Sequence, residues 1–204
     1  MGHDDKLAAK RHRVLESARR HFMQDGFADT GIETIARDAK VSTATLYDLF
    51  PGKTQLFHAV IEDAGEEFSR RIAEVTARDD DLLVRLRNFA AAYARFMSDP
   101  FVRAVFRLVA AERRRFTPVA QSFYDRGRRD FGGVLITILE ALKVEGRIDA
   151  PRMATAAGQL MGMIEHPTFL IPIVTGGEVE CTRTPEQIAA DAMDTFLARY
   201  GTGK

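Results

Sequence analysis

The sequence predicts an all-α protein with two parts. An N-terminal three-helix, helix-turn-helix domain covers residues 1–52, and a larger helical domain covers 53–204, about nine helices in total. Three observations predict it. Apolar residues recur at helical spacing along most of the chain. No stretch of note alternates with the period of two that marks a strand. And Thr30 to Thr54, TGIETIARDAKVSTATLYDLFPGKT, reads as two short helices joined by a tight turn, the second rich in small hydroxylated residues.

The elements follow in order. Leu7, Arg11, Val14, Leu15, Ala18 and Phe22 keep helical spacing, with Arg at one slot, and Gly26 closes that helix. Thr30-x-x-Glu33 is a capping-box pattern that starts the second helix, whose apolar face is Ile32, Ile35, Ala36 and Ala39. Ser42 suits the N-cap of the third, with Leu46 and Phe50 inward, and Pro51-Gly52 stops it. A long helix over about 53–77 carries Phe57, Val60, Ile61, Ala64, Phe68, Ile72 and Val75 on one stripe. Asp79 and Asp80 open the next, with Leu82, Leu86, Phe89, Tyr93, Phe96 and Met97, and Ser98-Asp99-Pro100 breaks it. Helices are expected over about 101–115, 118–143 and 150–166. From His166-Pro167 to Gly177 the two prolines argue against helix. Thr184-Pro185-Glu186-Gln187 restarts one, with Ile188, Ala192, Phe196 and Tyr200 as its stripe.

Composition narrows the class. Apolar residues make up 46%, enough for a core, and no apolar run reaches the length of a membrane span. The opening MGHDDKLAAKRHRV has no apolar stretch after its charges, so no signal peptide is expected. A lone Cys181 excludes an internal disulfide and a Cys-cluster metal site, and suits a reducing cytoplasm, the expected location. The zero net charge argues against a protein that coats nucleic acid. Yet between Lys6 and Arg20 the six basic residues Lys6, Lys10, Arg11, Arg13, Arg19 and Arg20 face only Glu16, so that stretch of the first helix is locally basic. A basic end on a neutral body suits localised phosphate contact.

The turn segment has the residue types that DNA reading needs. Ala36 is small where two helices must cross, Val41 is apolar just after the turn, and Leu46 points inward. That leaves Ser42, Thr43, Ala44, Thr45, Tyr47 and Asp48 outward. Short side chains let a helix approach base edges, and hydroxyls bond phosphates or bases. The same spacing also fits an ordinary three-helix core.

The string resembles the N-terminal motif of the tetracycline-repressor (TetR) family of bacterial regulators. The matches are Gly26, Phe27, Thr30, Ile35, Ala36, Ala39, Val41, Ser42, Thr45, Leu46, Tyr47, Phe50, Lys53 and Leu56, over about a quarter of the chain. Lys40 replaces the turn Gly of the family, a position that often needs positive φ, at a cost of about 1 kcal/mol. Ala44, Leu49, Gly52 and Thr54 also depart from the pattern and bear on base preference. The resemblance implies that Thr30 and Thr34 sit near phosphates, with Lys40 adding charge nearby. It implies that Ser42, Thr43, Ala44, Thr45 and Tyr47 enter the groove, and that Lys53 holds phosphate. For Thr34 a solvated helix face is an equal reading.

In the larger part, FRLVAAERRRFTPVAQSFYDRG and PEQIAADAMDTFLARYG resemble the AefR-like subgroup of TetR C-terminal domains. That resemblance implies an effector-binding and dimerisation domain. Phe89, Tyr93, Phe96, Phe106, Val109, Phe123, Phe131, Met161 and Met163 exceed what a small helical core needs. Gly127, Gly132, Gly133, Gly158 and Gly162 interrupt the same helices, each at about 1 kcal/mol against Ala, which suggests space for a ligand or close helix crossing. The candidate effector residues are Phe89, Tyr93, Phe96, Phe106, Val109, Glu112, Phe123, Phe131, Met161, Glu165 and His166, with Tyr124 as a further polar group. His166, before Pro167, also reads as a cap or surface residue. Arg113-Arg114-Arg115 and Arg126, Arg128 and Arg129 read as solvated faces or as recognition of an acidic effector. Ile188, Ala192 and Phe196 are the expected dimer seam, with Gly158 and Gly162 allowing close approach.

The expectation is therefore a homodimeric DNA-binding transcriptional regulator, a repressor released from a palindromic operator by a small, largely apolar effector. No cofactor, metal or membrane is expected. An enzyme is not expected either, because no phosphate loop, metal-spaced cluster or nucleophile elbow is present. A DNA-binding dimer that ignores small molecules is the rival.

Overall fold

The computed structural model describes residues 3–76, 81–176 and 181–203. The helices are α1 (His3–Asp29), α2 (Ile32–Asp38), α3 (Thr43–Leu49), α4 (Lys53–Thr76), α5 (Leu82–Ser98), α6 (Pro100–Glu112), α7 (Thr117–Gly127), α8 (Val134–Val144), α9 (Met153–Glu165), α10 (Ile171–Val174) and α11 (Pro185–Tyr200). A π-helical stretch, Arg128–Gly133, joins α7 to α8, and another, His166–Leu170, joins α9 to α10. With each π-helical stretch joined to its neighbours, the described residues form nine helices and no strand; α1 is broken at Gly26 (φ 78°, ψ 176°), where the sequence expects its main run to close, and one isolated bridge pairs Ile148 with Gly201. Asp79 and Asp80, expected to open α5, lie outside the described residues, as does the side chain of Val75. Asp81 is the observed N-cap of α5, accepting from the amides of Leu83 and Val84.

The chain divides into two compact units. The first comprises Met1–Glu66 with Ala104–Phe123, so a segment distant in sequence completes it. Its core buries Val14, Leu15, Ala18 and Phe22 of α1, Ile35 and Ala36 of α2, Leu46 of α3, and Leu56 and Phe57 of α4. Leu7 and Arg11 are exposed, so the buried stripe of α1 begins at Val14. Phe57 is the hub: ring centroids lie 5.6 Å from Phe22, 5.3 Å from Phe27 and 4.7 Å from Phe116. Phe116 comes from the distant segment and packs edge-on to Phe27 at 4.8 Å. Each such ring contributes about 1.5–3 kcal/mol by leaving water.

The second unit comprises Glu67–Arg103 with Tyr124–Lys204. Its central element is α5, which buries Leu86, Phe89, Ala90, Tyr93, Ala94, Phe96 and Met97 and packs against α8, α9 and α11. The expected capping box at Thr184 is present in full, with Pro185 opening α11.

Four expectations need correction. Thr30 does not cap α2; the N-cap is Gly31, without a side-chain bond, because the Thr30 hydroxyl donates instead to the Gly26 carbonyl at 2.7 Å. The stretch from His166 is helical up to Val174. The Ile171 amide donates to His166 five residues back, and this wider register relieves the clash that prolines impose on an α-helix. An alanine methyl at Gly127, Gly132, Gly133, Gly158 or Gly162 would meet nothing within 4 Å, so none of these glycines marks a close helix crossing within the chain. Finally, Ile188, Ala192 and Phe196 are 3%, 4% and 1% exposed; they are core residues of the second unit and are not free to form a seam.

Candidate nucleic-acid interface and effector site

The α2–α3 turn is built to close tolerance. The Val41 amide donates to Ala36 at 3.0 Å and the Lys40 amide to Arg37 at 3.1 Å, the bond pair of a Schellman cap. That cap needs a left-handed residue after the helix. Lys40 supplies it at φ 54°, alone in positive φ among the described non-glycine residues. Two side chains of α1 hold the pair: Ser17, fully buried, donates to the Ile35 carbonyl at 3.1 Å, and Arg13 Nε donates to the Ala39 carbonyl at 3.0 Å.

This frame sets the rotation of α3. Leu46 is fully buried and Phe50 nearly so, which turns Thr43, Ala44, Tyr47 and Asp48 outward. Ser42 caps the helix by accepting from the Thr45 amide, and the two hydroxyls lie 2.9 Å apart. Tyr47, 49% exposed, is the largest group on this face. The expected set is thus brought together from Lys40 to Tyr47. Thr34 is half-buried beside it on α2, within 3.5 Å of an Arg37 nitrogen. Thr30 is not available: its side chain is buried and its hydroxyl committed.

Lys53, the first residue of α4, sits over the Phe27 ring at 4.8 Å and donates to the Ala28 carbonyl at 2.9 Å. Burial and the nearby Arg115 charge hold its pKa below the ordinary lysine value, against Asp29 and Glu112, which raise it. Arg115 stacks over the same ring at 4.5 Å. The segment carrying Arg115 gave no local sign of belonging to this unit; only the long-range packing of Phe116 places it there.

The candidate effector residues fall into two groups. Phe106, Val109, Glu112 and Phe123 belong to the first unit, where Phe106 and Phe123 meet edge-on at 5.0 Å. Phe89, Tyr93, Phe96, Phe131, Met161, Glu165 and His166 belong to the second. There Tyr93 stacks on Phe89 at 5.8 Å, and Phe131 lies 5.6 Å from Tyr93 and 4.8 Å from Phe96. The buried Tyr93 hydroxyl donates to the Glu165 carboxylate. Burial first, and then the Glu165 charge, push the phenol pKa well up, so Tyr93 remains a neutral donor. Both π-helical stretches adjoin this cluster in sequence: Phe131 lies within one, and Glu165 precedes the other. Single π-helical turns concentrate at functional sites. Met161 is half-buried, while His166 and Tyr124 are exposed.

Residues 84–202 match the AefR-like transcriptional repressor C-terminal domain, and residues 14–60 match the bacterial regulatory proteins of the tetR family. The chain belongs to the TetR family. It is a DNA-binding transcriptional regulator with an AefR-like C-terminal domain. The HTH-type transcriptional regulator HbdR of Aromatoleum sp. (strain CIB) is 31% identical over 70 residues, 34% of this chain and 31% of that protein. The match therefore spans under a third of that relative. A crystal structure from Mesorhizobium loti MAFF303099, assigned to TetR-family transcriptional regulators, covers 96% of this chain and 98% of its own, at 24% identity and a TM-score of 0.81. The flavonoid-responsive regulator FrrA covers the same shares at 27% identity and a TM-score of 0.72. Among the described residues of this TetR-family regulator, no helix is long and apolar enough to cross a membrane, and no metal-holding cluster of His, Cys, Asp and Glu occurs.

Proposed function

We propose that this regulator is a homodimeric repressor that binds a palindromic operator when empty and leaves it when a small, largely apolar effector enters the second unit. The reading rests on one observation above all: α3 buries Leu46 and presents Thr43, Ala44 and Tyr47 on a cap-fixed helix. Ser42 and Thr45 join them at the groove. Lys53, with two ammonium donors beyond the one given to Ala28, and Lys40 and Thr34 meet phosphates.

The effector is assigned to the aromatic cluster around Tyr93. Its polar end would donate to the half-buried Glu165, in place of or beside the Tyr93 hydroxyl, since a carboxylate drawn out of water is stabilised by donors. FrrA, named as flavonoid-responsive, supports an aromatic compound with a hydroxyl group. The helix α4 is continuous from one unit into the other and is the proposed carrier of the change. The effector shifts the equilibrium only by its differential affinity for the two states.

The dimer face is assigned to the α9–α10 rod. Ala154, Gly158, Gly162, His166, Leu170 and Val174, every fourth residue, are all exposed, with Leu170 at 48% and Val174 at 75%. The π-helical stretch offsets the drift that four-residue spacing would otherwise accumulate along an α-helix.

Selection from random duplexes with purified protein, at near-physiological salt, tests the reading. The expected result is one inverted repeat with half-sites about one helical turn, roughly 34–36 Å, apart. Recovery of only non-specific sequences, from ligand-stripped protein as well, would sink it. Hydroxylated aromatic compounds should then release the selected duplex.

A further inference from the structure

The first unit contains a basic turn that the helix-turn-helix does not account for. Arg113, Arg114 and Arg115 follow the end of α6 and are all exposed. The turn is held from both sides. The amides of Arg115 and Phe116 donate to the Glu112 carbonyl at 2.9 and 3.0 Å, and the Thr117 hydroxyl donates to the Arg113 carbonyl at 3.1 Å. Phe116, 7% exposed, then locks the segment onto Phe57 and Phe27.

This anchorage decides where the arginines lie. Arg115 and Lys53 both stack on the single ring of Phe27, at 4.5 and 4.8 Å. The turn is thus adjacent to the first residue of α4, four residues beyond the end of the recognition helix. Two like charges on one ring repel, and this adds to burial, the larger cause, in holding the Lys53 pKa down. A stacked guanidinium still has its in-plane N–H donors free for an anion. No ion pair engages Arg113 or Arg114 among the described residues. One cation near the end of α6 would suffice to complement its dipole, and three are present.

We propose that the Arg113–Arg115 turn is a second phosphate-binding element, which grips the DNA backbone beside the Lys53 contact and extends the footprint of each protomer beyond the helix-turn-helix. The element carries charge and no base-edge reader, so it adds affinity without sequence preference. It rests on the DNA-reading function of α3, and the test separates the two.

The test compares wild type with Arg113→Gln/Arg114→Gln, which spares the Phe27 stack, on the selected duplex across a salt series. Each phosphate contact contributes about 0.9 to the slope of log affinity against log salt. The expected result is a slope lowered by about 0.9 for every contact removed, weaker binding at low salt, an unchanged ranking of duplex sequences and an unchanged melting temperature. Unchanged affinity and slope, with wild type still selective, would overturn the turn alone. A changed ranking of sequences would also overturn it, because it would mean base contact. A wild type that selects no duplex would overturn both readings.

Discussion

The two compact units solve opposite problems with the same secondary structure. The first must hold a short helix rigidly while leaving one face bare. It does so with bonds between side chains and backbone, Ser17 to Ile35 and Arg13 to Ala39, a Schellman turn at Lys40, and an aromatic knot at Phe57. The second surrounds one helix, α5, and places a tyrosine and a carboxylate among aromatic rings. In the first, polar groups fix geometry for an external partner. In the second, a buried phenol is paired with a half-buried carboxylate, a bond to a charged group that contributes about 1.5–3 kcal/mol.

The comparison can be broken first at the knot. Phe57→Ala should cost about 3–5 kcal/mol, because the ring is 1% exposed and contacts three others. Urea unfolding checks it, and a loss below about 1 kcal/mol would mean the knot does not hold the unit. Next comes the internal pair. Tyr93→Phe leaves Glu165 without its donor and should cost about 1–3 kcal/mol by the same measurement.

The Tyr93 pair also has a pH signature. Its folded pKa is raised, so the stabilising contribution is complete below the unfolded tyrosine value of about 10 and is lost as pH rises through the folded value. The stability difference between wild type and Tyr93→Phe should therefore be flat from neutral pH to about 10 and shrink above it. A difference that grows in that alkaline range would reverse the sign and refute the assignment. The smallest effect sharpens the first unit: Lys40→Gly relieves φ 54° and should stabilise by about 1 kcal/mol, read from the melting temperature. Destabilisation would show that the Lys40 side chain has a holding role.

How much was legible in the sequence follows the same division. The helix-turn-helix is local: Ser42 as cap and Leu46 inward follow from residues within a few positions of one another, while positive φ at position 40 was legible only through the resemblance to the family motif, which has Gly there. The stripes of α4, α5 and α11 were equally plain. What failed was non-local. Thr30 matched a capping box by spacing, yet Gly26 offered its hydroxyl a competing carbonyl. The stripe of α11 showed that Ile188, Ala192 and Phe196 face one way, and not that α5 is what they face. Pro167 and Pro172 read as breakers because the π-helical register that accommodates them depends on hydrogen bonds, not on composition. The effector list mixed two units because periodicity cannot assign α6 to a neighbour.

The most direct test of the account is the affinity of Tyr47→Ala for the selected duplex, measured beside wild type by fluorescence anisotropy. Tyr47 is the largest exposed group on α3 and does not support the core. The account predicts about a tenfold or greater loss, the equivalent of one hydrogen bond to a charged group, with the melting temperature unchanged. Wild-type affinity in the variant would contradict it, because the outward face of α3 would then not be what reads the DNA.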